Sequence, residues 1–349
     1  MAEQMTSQER FNALLKGEAL DRVPVLPFMF GHIGIVNGLS IADIYENAEA
    51  SFHAQTRAAE MYGYEQLNMY GYAMYGGWEF GGEVKLPRTE GECPTVTRYA
   101  VKTLEEAQKL EVPENYLEVG SVPINLAFSK LQAEHHLPIS FSANGPLDMA
   151  ACIAGVENLM MWMMEYPDVA HHMYRVCTDF NLAICDHWLK EFGAENMMPM
   201  VGCAVESNNL ISPGFFETFA LPYLKELVEH FVEKGIPHCF VHICSHQTKN
   251  LPYYQQIPWP KKSIFSFGIE TSLKTAAEFL PGHIIGGHVD PLLIRKGTPD
   301  EVLEDSRKSV EEGKVLSDFA LMPGCDIPAY SAPVNVYQMV KAAKLYGKY

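Results

Sequence analysis

His238-Cys-Phe-Val-His-Ile-Cys244 is the stretch on which the fold is decided. It is short, largely apolar and rich in β-branched and aromatic residues, which suits a buried strand better than a helix. Outward from it, similar runs recur at Val23–Phe30, Glu65–Tyr70, Leu137–Ser142 and Asn196–Val201, then at Ser263–Phe267, His283–His288 and Phe319–Met322. Amphipathic helical segments follow several of them, as in Phe215–Lys234 and Pro299–Gly313. Strands alternating with helices predict βα units around a parallel sheet. Eight such units close into a barrel of about 250 residues before insertions. The expectation is therefore an α/β fold, a (β/α)8 TIM barrel. It forms one domain over residues 1–349, with an N-terminal helical extension and a Pro- and Glu-rich excursion at about 87–118. An open doubly wound sheet is the alternative, but no Gly-x-Gly-x-x-Gly follows the first run.

Composition narrows the function. The chain of 349 residues is 48% hydrophobic and 20% charged, enough apolar content for a large core. Acidic residues outnumber basic ones 43 to 26, for a formal charge of −17, which argues against a nucleic-acid partner. Met1–Arg10 lacks the apolar core of a signal peptide, and no run approaches the roughly 20 apolar residues of a membrane span. The eight cysteines are scattered through a large chain, the usage of reduced thiols, so a cytoplasmic location is expected.

Chemistry concentrates at the predicted strand ends, where barrel active sites are built. These ends carry His32, Tyr70, Asn144, Cys203 with Glu206, His242 with Cys244, Glu270, His288 with Asp290, and Cys325. Two thiolates and an imidazole suit zinc, and three protein ligands leave its fourth position open for reaction. His242 and Cys244 lie about 80 residues from Cys325, too far for a local zinc knuckle and consistent with a reaction centre assembled by the fold. His242, Cys244 and Cys325 are thus the expected catalytic metal ligands. Glu206 is offered as a further ligand, with Cys203 as its competitor. Asn144, Tyr70, His32, His288 and Asp290 are the expected substrate-binding groups. Each has a plainer reading: a satisfied polar residue, or for Asn144 a cap on the helix starting near Asp148. Tyr72, Met74 and Tyr75 either line an apolar pocket or pack around Trp78.

Asn144-Gly-Pro-Leu-Asp148, Leu210-Ile-Ser-Pro-Gly-Phe215, Val241–Cys244, Gly287-His-Val-Asp-Pro291, Gly297-Thr-Pro-Asp-Glu-Val302 and Pro323-Gly-Cys-Asp-Ile-Pro328 follow one another along the chain. Together with Ala332-Pro-Val-Asn335 and Tyr346-Gly347, these motifs resemble the uroporphyrinogen decarboxylase superfamily, and within it the corrinoid-dependent methyltransferases. The resemblance implies zinc-dependent movement of a methyl group between a small substrate and the cobalt of a corrinoid (cobalamin) carried by a separate protein. The substrate would be a methyl ether donor or a thiol acceptor; a homodimer is a candidate assembly. Decarboxylases of the superfamily carry an arginine-bearing segment near the first strand; here Phe28-Met-Phe-Gly-His-Ile-Gly34 has none. A porphyrinogen-decarboxylating lyase and a non-catalytic corrinoid- or metal-binding barrel are the competing functions. Departures from the methyltransferase pattern are Ser245 where Gly is usual, Cys203-Ala204 in place of Asp-Pro, and His288 in place of Asn. They surround the predicted pocket and bear on its substrate.

Overall fold

In the computed structural model, residues 3–88, 93–316 and 318–349 are described. The first part of the chain contains helices α1 (Ser7–Lys16) and α2 (Ala48–Tyr62) and the antiparallel hairpin β1 (Glu83–Lys85) and β2 (Thr95–Arg98). Helices α3 (Val122–Glu134), α4 (Pro146–Ala154) and α5 (Pro167–Phe192) lead to β3 (Met200–Cys203). Helix α6 (Leu221–Glu233) precedes β4 (Phe240–Ile243), β5 (Ile264–Phe267) and β6 (Ile284–Val289). Helix α7 (Pro299–Gly313), β7 (Phe319–Pro323) and α8 (Pro333–Tyr346) complete the order. The protein is α/β, with β3 to β7 in one parallel sheet arranged in sequence order.

The helices follow from local chemistry. Helix α6 buries Leu224, Leu227, Val228 and Phe231, the three-and-four spacing of one helical face. Helix α7 starts at a capping box in which Thr298 and Glu301 satisfy each other's backbone N–H groups. No single described helix is long and apolar enough to cross a membrane.

Three of the eight expected runs depart from regular strands. Val23–Phe30 joins β7 through the parallel bridge Val25 to Leu321, and Leu137–Ser142 joins the β3 run through bridges at Ile139 and Ser142. Pro24 and Pro27 have no N–H to give a ladder, which interrupts the first run. The second run, Glu65–Tyr70, meets the first through Glu65 N–H to the Val25 carbonyl at 3.1 Å. Otherwise helix side chains satisfy it: Gln55 of α2 accepts from Met69 N–H and donates to the Met69 carbonyl, both at 2.9 Å.

Among the described residues no continuous ladder closes the ring between the second and third runs. Helix α3 covers this gap. Gln132 donates to the Asn68 carbonyl at 2.7 Å and to the Ser140 hydroxyl at 3.0 Å, and accepts from Ser140 N–H at 3.0 Å. Ser129, one turn earlier, donates to the Ser140 carbonyl at 3.0 Å. Buried side chains thus meet the need that an unpaired strand edge would leave open.

Opposite the strand C-termini, Arg10 of α1 pairs with Asp21 and Glu65, each at 2.6 Å, and Arg22 reaches the same Glu65 at 2.9 Å. Burial works against the ionised Asp21 carboxyl, but the Arg10 hydrogen bond and charge outweigh it and hold Asp21 far below its ordinary range. This network ties α1 to the first two runs.

Replacing Gln132 by leucine keeps the volume but strips the Asn68 and Ser140 backbone groups of their partners. The Q132L protein should lose about 2–4 kcal/mol of stability, read as a lower denaturation midpoint in urea. An unchanged midpoint would show that the gap is closed by other means.

Candidate metal centre

The parallel register fixes the first member of the site. Gly202 on β3, His242 on β4 and Ser266 on β5 are aligned partners in adjacent strands. The Ser266 hydroxyl lies 3.0 Å from His242 Nδ1, while the buried Nε2 has no partner. Phe28 stacks on the imidazole, with ring centroids 5.2 Å apart. A ring held on one nitrogen and left open on the other is arranged as a metal ligand is.

Two loops supply the thiols. Cys244 follows β4 directly, and its N–H donates to the Cys203 carbonyl at 3.2 Å. Ser245 then turns with φ 61°, in the left-handed region that glycine adopts at least cost. Its hydroxyl is held by Asn209 Nδ2 at 3.1 Å. Cys325 lies beyond β7, after Gly324, where an added Cβ would come within 2.8 Å of Ile269 Cγ2. The close approach of this loop to the Gly268–Ile269 segment after β5 therefore needs the glycine.

Cys244 Sγ and Cys325 Sγ stand 3.7 Å apart, and the ligand atoms of His242, Cys244 and Cys325 all fall within 4.8 Å of one another. Two sulfurs on a tetrahedral zinc at about 2.3 Å would stand about 3.8 Å apart, so the residues fit that ion. The Cys244 thiol donates to the Cys325 sulfur. That hydrogen bond foremost draws the Cys325 thiol well down against burial. That same hydrogen bond and burial push the Cys244 thiol up.

Glu206 is not brought into this cluster. It is buried beside Asp148, whose carboxylate accepts N–H bonds from Ala204 at 2.8 Å and Val205 at 2.6 Å. Burial first, and the Asp148 charge second, push the Glu206 carboxyl well above its usual range. Asp148 is itself pushed up by burial to about 6. Buried together, the two carboxyls disfavour ionisation of both at once. Cys203 is also outside the cluster, and burial pushes its thiol up.

The three ligands open onto a cavity of about 440 Å³. Of the expected substrate-binding residues, Asn144 lines it, and Tyr72 and Met74 do too. The others are corrections. The Tyr70 hydroxyl is committed to the Tyr45 carbonyl at 2.7 Å. His32 is buried between the Tyr62 hydroxyl at 2.8 Å and the Ala329 carbonyl at 3.1 Å, and burial lowers its pKa. Asp290 caps a helix, accepting from Leu292 N–H at 2.8 Å, and His288 stands at the end of β6 outside the lining. Tyr75 packs on Phe180. Sequence reasoning missed Ser266, whose one signal is a polar residue inside the apolar Ile264–Phe267 run. It also missed Val96 and Tyr99, which reach the cavity from the excursion.

The uroporphyrinogen decarboxylase family pattern matches residues 6–346. The chain belongs to that family. It is 28% identical to a methylcobamide:CoM methyltransferase, MtbA, of Methanosarcina acetivorans over 98% of both chains. It is also 28% identical to a methylated-thiol–coenzyme M methyltransferase of Methanosarcina mazei, over 74% of this chain and 67% of that one. A solved methyltransferase from Methanosarcina mazei shares the fold, with a TM-score of 0.79 at 22% identity over 98% of this chain and 99% of that one. Within the family, the chain is an enzyme of the methyltransferase kind.

Ser266→Ala should leave the fold intact and free the His242 ring to turn. Zinc affinity, measured by competition with a chromogenic chelator, should fall roughly 10- to 100-fold. Undiminished affinity would remove Ser266 from the site.

Proposed function

We propose that this protein is a zinc-dependent methyltransferase, moving a methyl group between a small substrate and the cobalt of a corrinoid held by a separate protein. The observation that carries the reading is the His242, Cys244 and Cys325 cluster opening onto the cavity, in a chain whose relatives include methylcobamide:CoM methyltransferases. We read the sheet and its flanking bridges as a single eight-unit barrel, with the β1–β2 hairpin as an excursion over its mouth.

The protein's own groups divide the work. His242 Nε2 and the two sulfurs would hold the metal, Ser266 fixes the ring, and the 244–245 and 324–325 loops fix the sulfurs. Bound zinc supplies Lewis acidity, enough to make a substrate thiol ionise at neutral pH or to polarise an ether oxygen. The cavity walls place the substrate's heteroatom against the ligands, with its methyl-bearing side left for the corrinoid. Apolar walls exclude water from the reacting atoms. Porphyrinogen decarboxylation is not favoured: among the described residues no arginine or lysine lines the cavity to meet a polyanion.

Purified protein should hold about one zinc per chain and methylate cobalt(I) cobalamin from a suitable donor, followed by absorbance. Cys325→Ala should lose both the zinc and at least about 99% of the turnover, equivalent to about 2.7 kcal/mol. Full activity in metal-free protein would overturn the reading.

A further inference from the structure

We propose that the cavity is built for an uncharged methyl donor bearing an aromatic ring, a methoxyarene, and against the anionic thiols that the relatives' names imply. The inference rests on the methyltransferase reading and names the substrate class of that site.

Three properties of the wall carry it. The first is shape and material. Phe28, Phe30, Tyr45 and Tyr72 form one side, and the hairpin adds Val96 and Tyr99. Aromatic faces and edges of this kind pack favourably against a ring. A volume of about 440 Å³ lies within the roughly 300–1,000 Å³ of pockets that enclose ring-sized ligands. It far exceeds what a two-carbon thiol fills.

The second is charge. Among the described residues no lysine or arginine lines the cavity, while Asp148 and Asp326 do. Residues 89–92, outside the described ones, are Thr-Glu-Gly-Glu and hold no cation either. The arginines flanking the hairpin face outward, Arg98 to Glu83 at 2.8 Å and Arg88 to Glu46. A sulfonate is ionised at every biological pH. In this wall it would lose its hydration, find no counter-charge and stand with two carboxyl groups. A methoxyarene suffers none of these penalties.

The third is how firmly the roof is seated. An added Cβ on Gly77 would stand 3.0 Å from Val96 Cγ2, and one on Gly155 (φ +85°) 3.1 Å from Tyr99 Cε2. Both hairpin side chains therefore rest directly on backbone. The roof is a defined surface, and Val96 and Tyr99 are specificity determinants.

Isothermal titration calorimetry on the full-length zinc-loaded protein, without cobalamin, tests the assignment. The probes are 4-methoxyphenol, 4-methoxybenzenesulfonate and 2-mercaptoethanesulfonate at neutral pH. The neutral ring should bind at least about tenfold more tightly than either sulfonate. Val96→Arg, with zinc content unchanged, should narrow that gap roughly tenfold by placing a cation in the roof. Sulfonates binding as tightly as the neutral ring, or a gap that V96R leaves unmoved, would overturn the proposal. The two readings fail separately. Selective ring binding with cobalt(I) left unmethylated would sink methyl transfer and leave the pocket assignment standing. Methyl transfer with no preference for the neutral ring would do the reverse.

Discussion

The site depends on the parallel register between β4 and β5. Because His242 is aligned with Ser266, the imidazole meets a hydroxyl from the neighbouring strand and keeps one nitrogen open. The same register row continues to Gly202 on one side and to Gly286 on the other. Both flanking positions lack a side chain. An added Cβ at Gly202 would come within 3.1 Å of Asn144 Oδ1, and one at Gly286 within 2.3 Å of Met322 Sδ. The space beside His242 is thus occupied by side chains from adjoining segments, and a slip of one residue along β5 would set Phe265 or Phe267 against the ring.

Once the imidazole is fixed, the thiols need only short loops. Cys244 is the residue after β4, and Cys325 the second after β7. Each loop has a backbone requirement of its own: a left-handed residue at Ser245 and a missing side chain at Gly324. Serine in the left-handed region costs more than glycine would, and its hydroxyl contacts with Ser207 and Asn209 offset part of that. Two sulfurs brought to 3.7 Å in partly buried surroundings disfavour ionisation of both at once. Full ionisation of the pair calls for a cation, the condition a metal ligand set satisfies.

Much of this was legible in the sequence where periodicity and donor chemistry coincide. The runs at 240–243, 264–267, 284–289 and 319–323 are strands because they are buried on both faces and read as continuous apolar segments. His242, Cys244 and Cys325 stood out in the sequence as a soft donor set at predicted strand ends, and the fold brings these three together. The first two runs were not legible, because prolines and the side chain of Gln55 replace ladder bonds there, and apolar content does not reveal the hydrogen-bond partner. Tyr70 and His32 show a second limit. Proximity to a strand end places a residue near the mouth, but which way its side chain turns is set by partners such as the Tyr45 carbonyl and the Tyr62 hydroxyl. Val96 and Tyr99 carry no signal at all, since nothing in an inserted hairpin's own sequence says what it covers.

The fold separates what holds the sheet and helices together from what surrounds the candidate site. The buried Arg10, Arg22 and Glu65 network lies near the strand N-termini and ties the N-terminal helix to the first two runs. His242 near the end of β4, the two thiols on the loops after β4 and β7, and the cavity lie at the opposite ends, with the hairpin beside them. Changes at the mouth therefore alter little of the hydrogen-bonding on which the sheet relies. This permits the chain to share a fold with other methyltransferases at 22% identity while its cavity differs in charge from one suited to an anionic partner. Substitution in the cavity walls changes which molecule can reach the candidate ligands. Val96 and Tyr99, supplied by an insertion that makes no ladder with the main sheet, are positions where such a change costs the fold least.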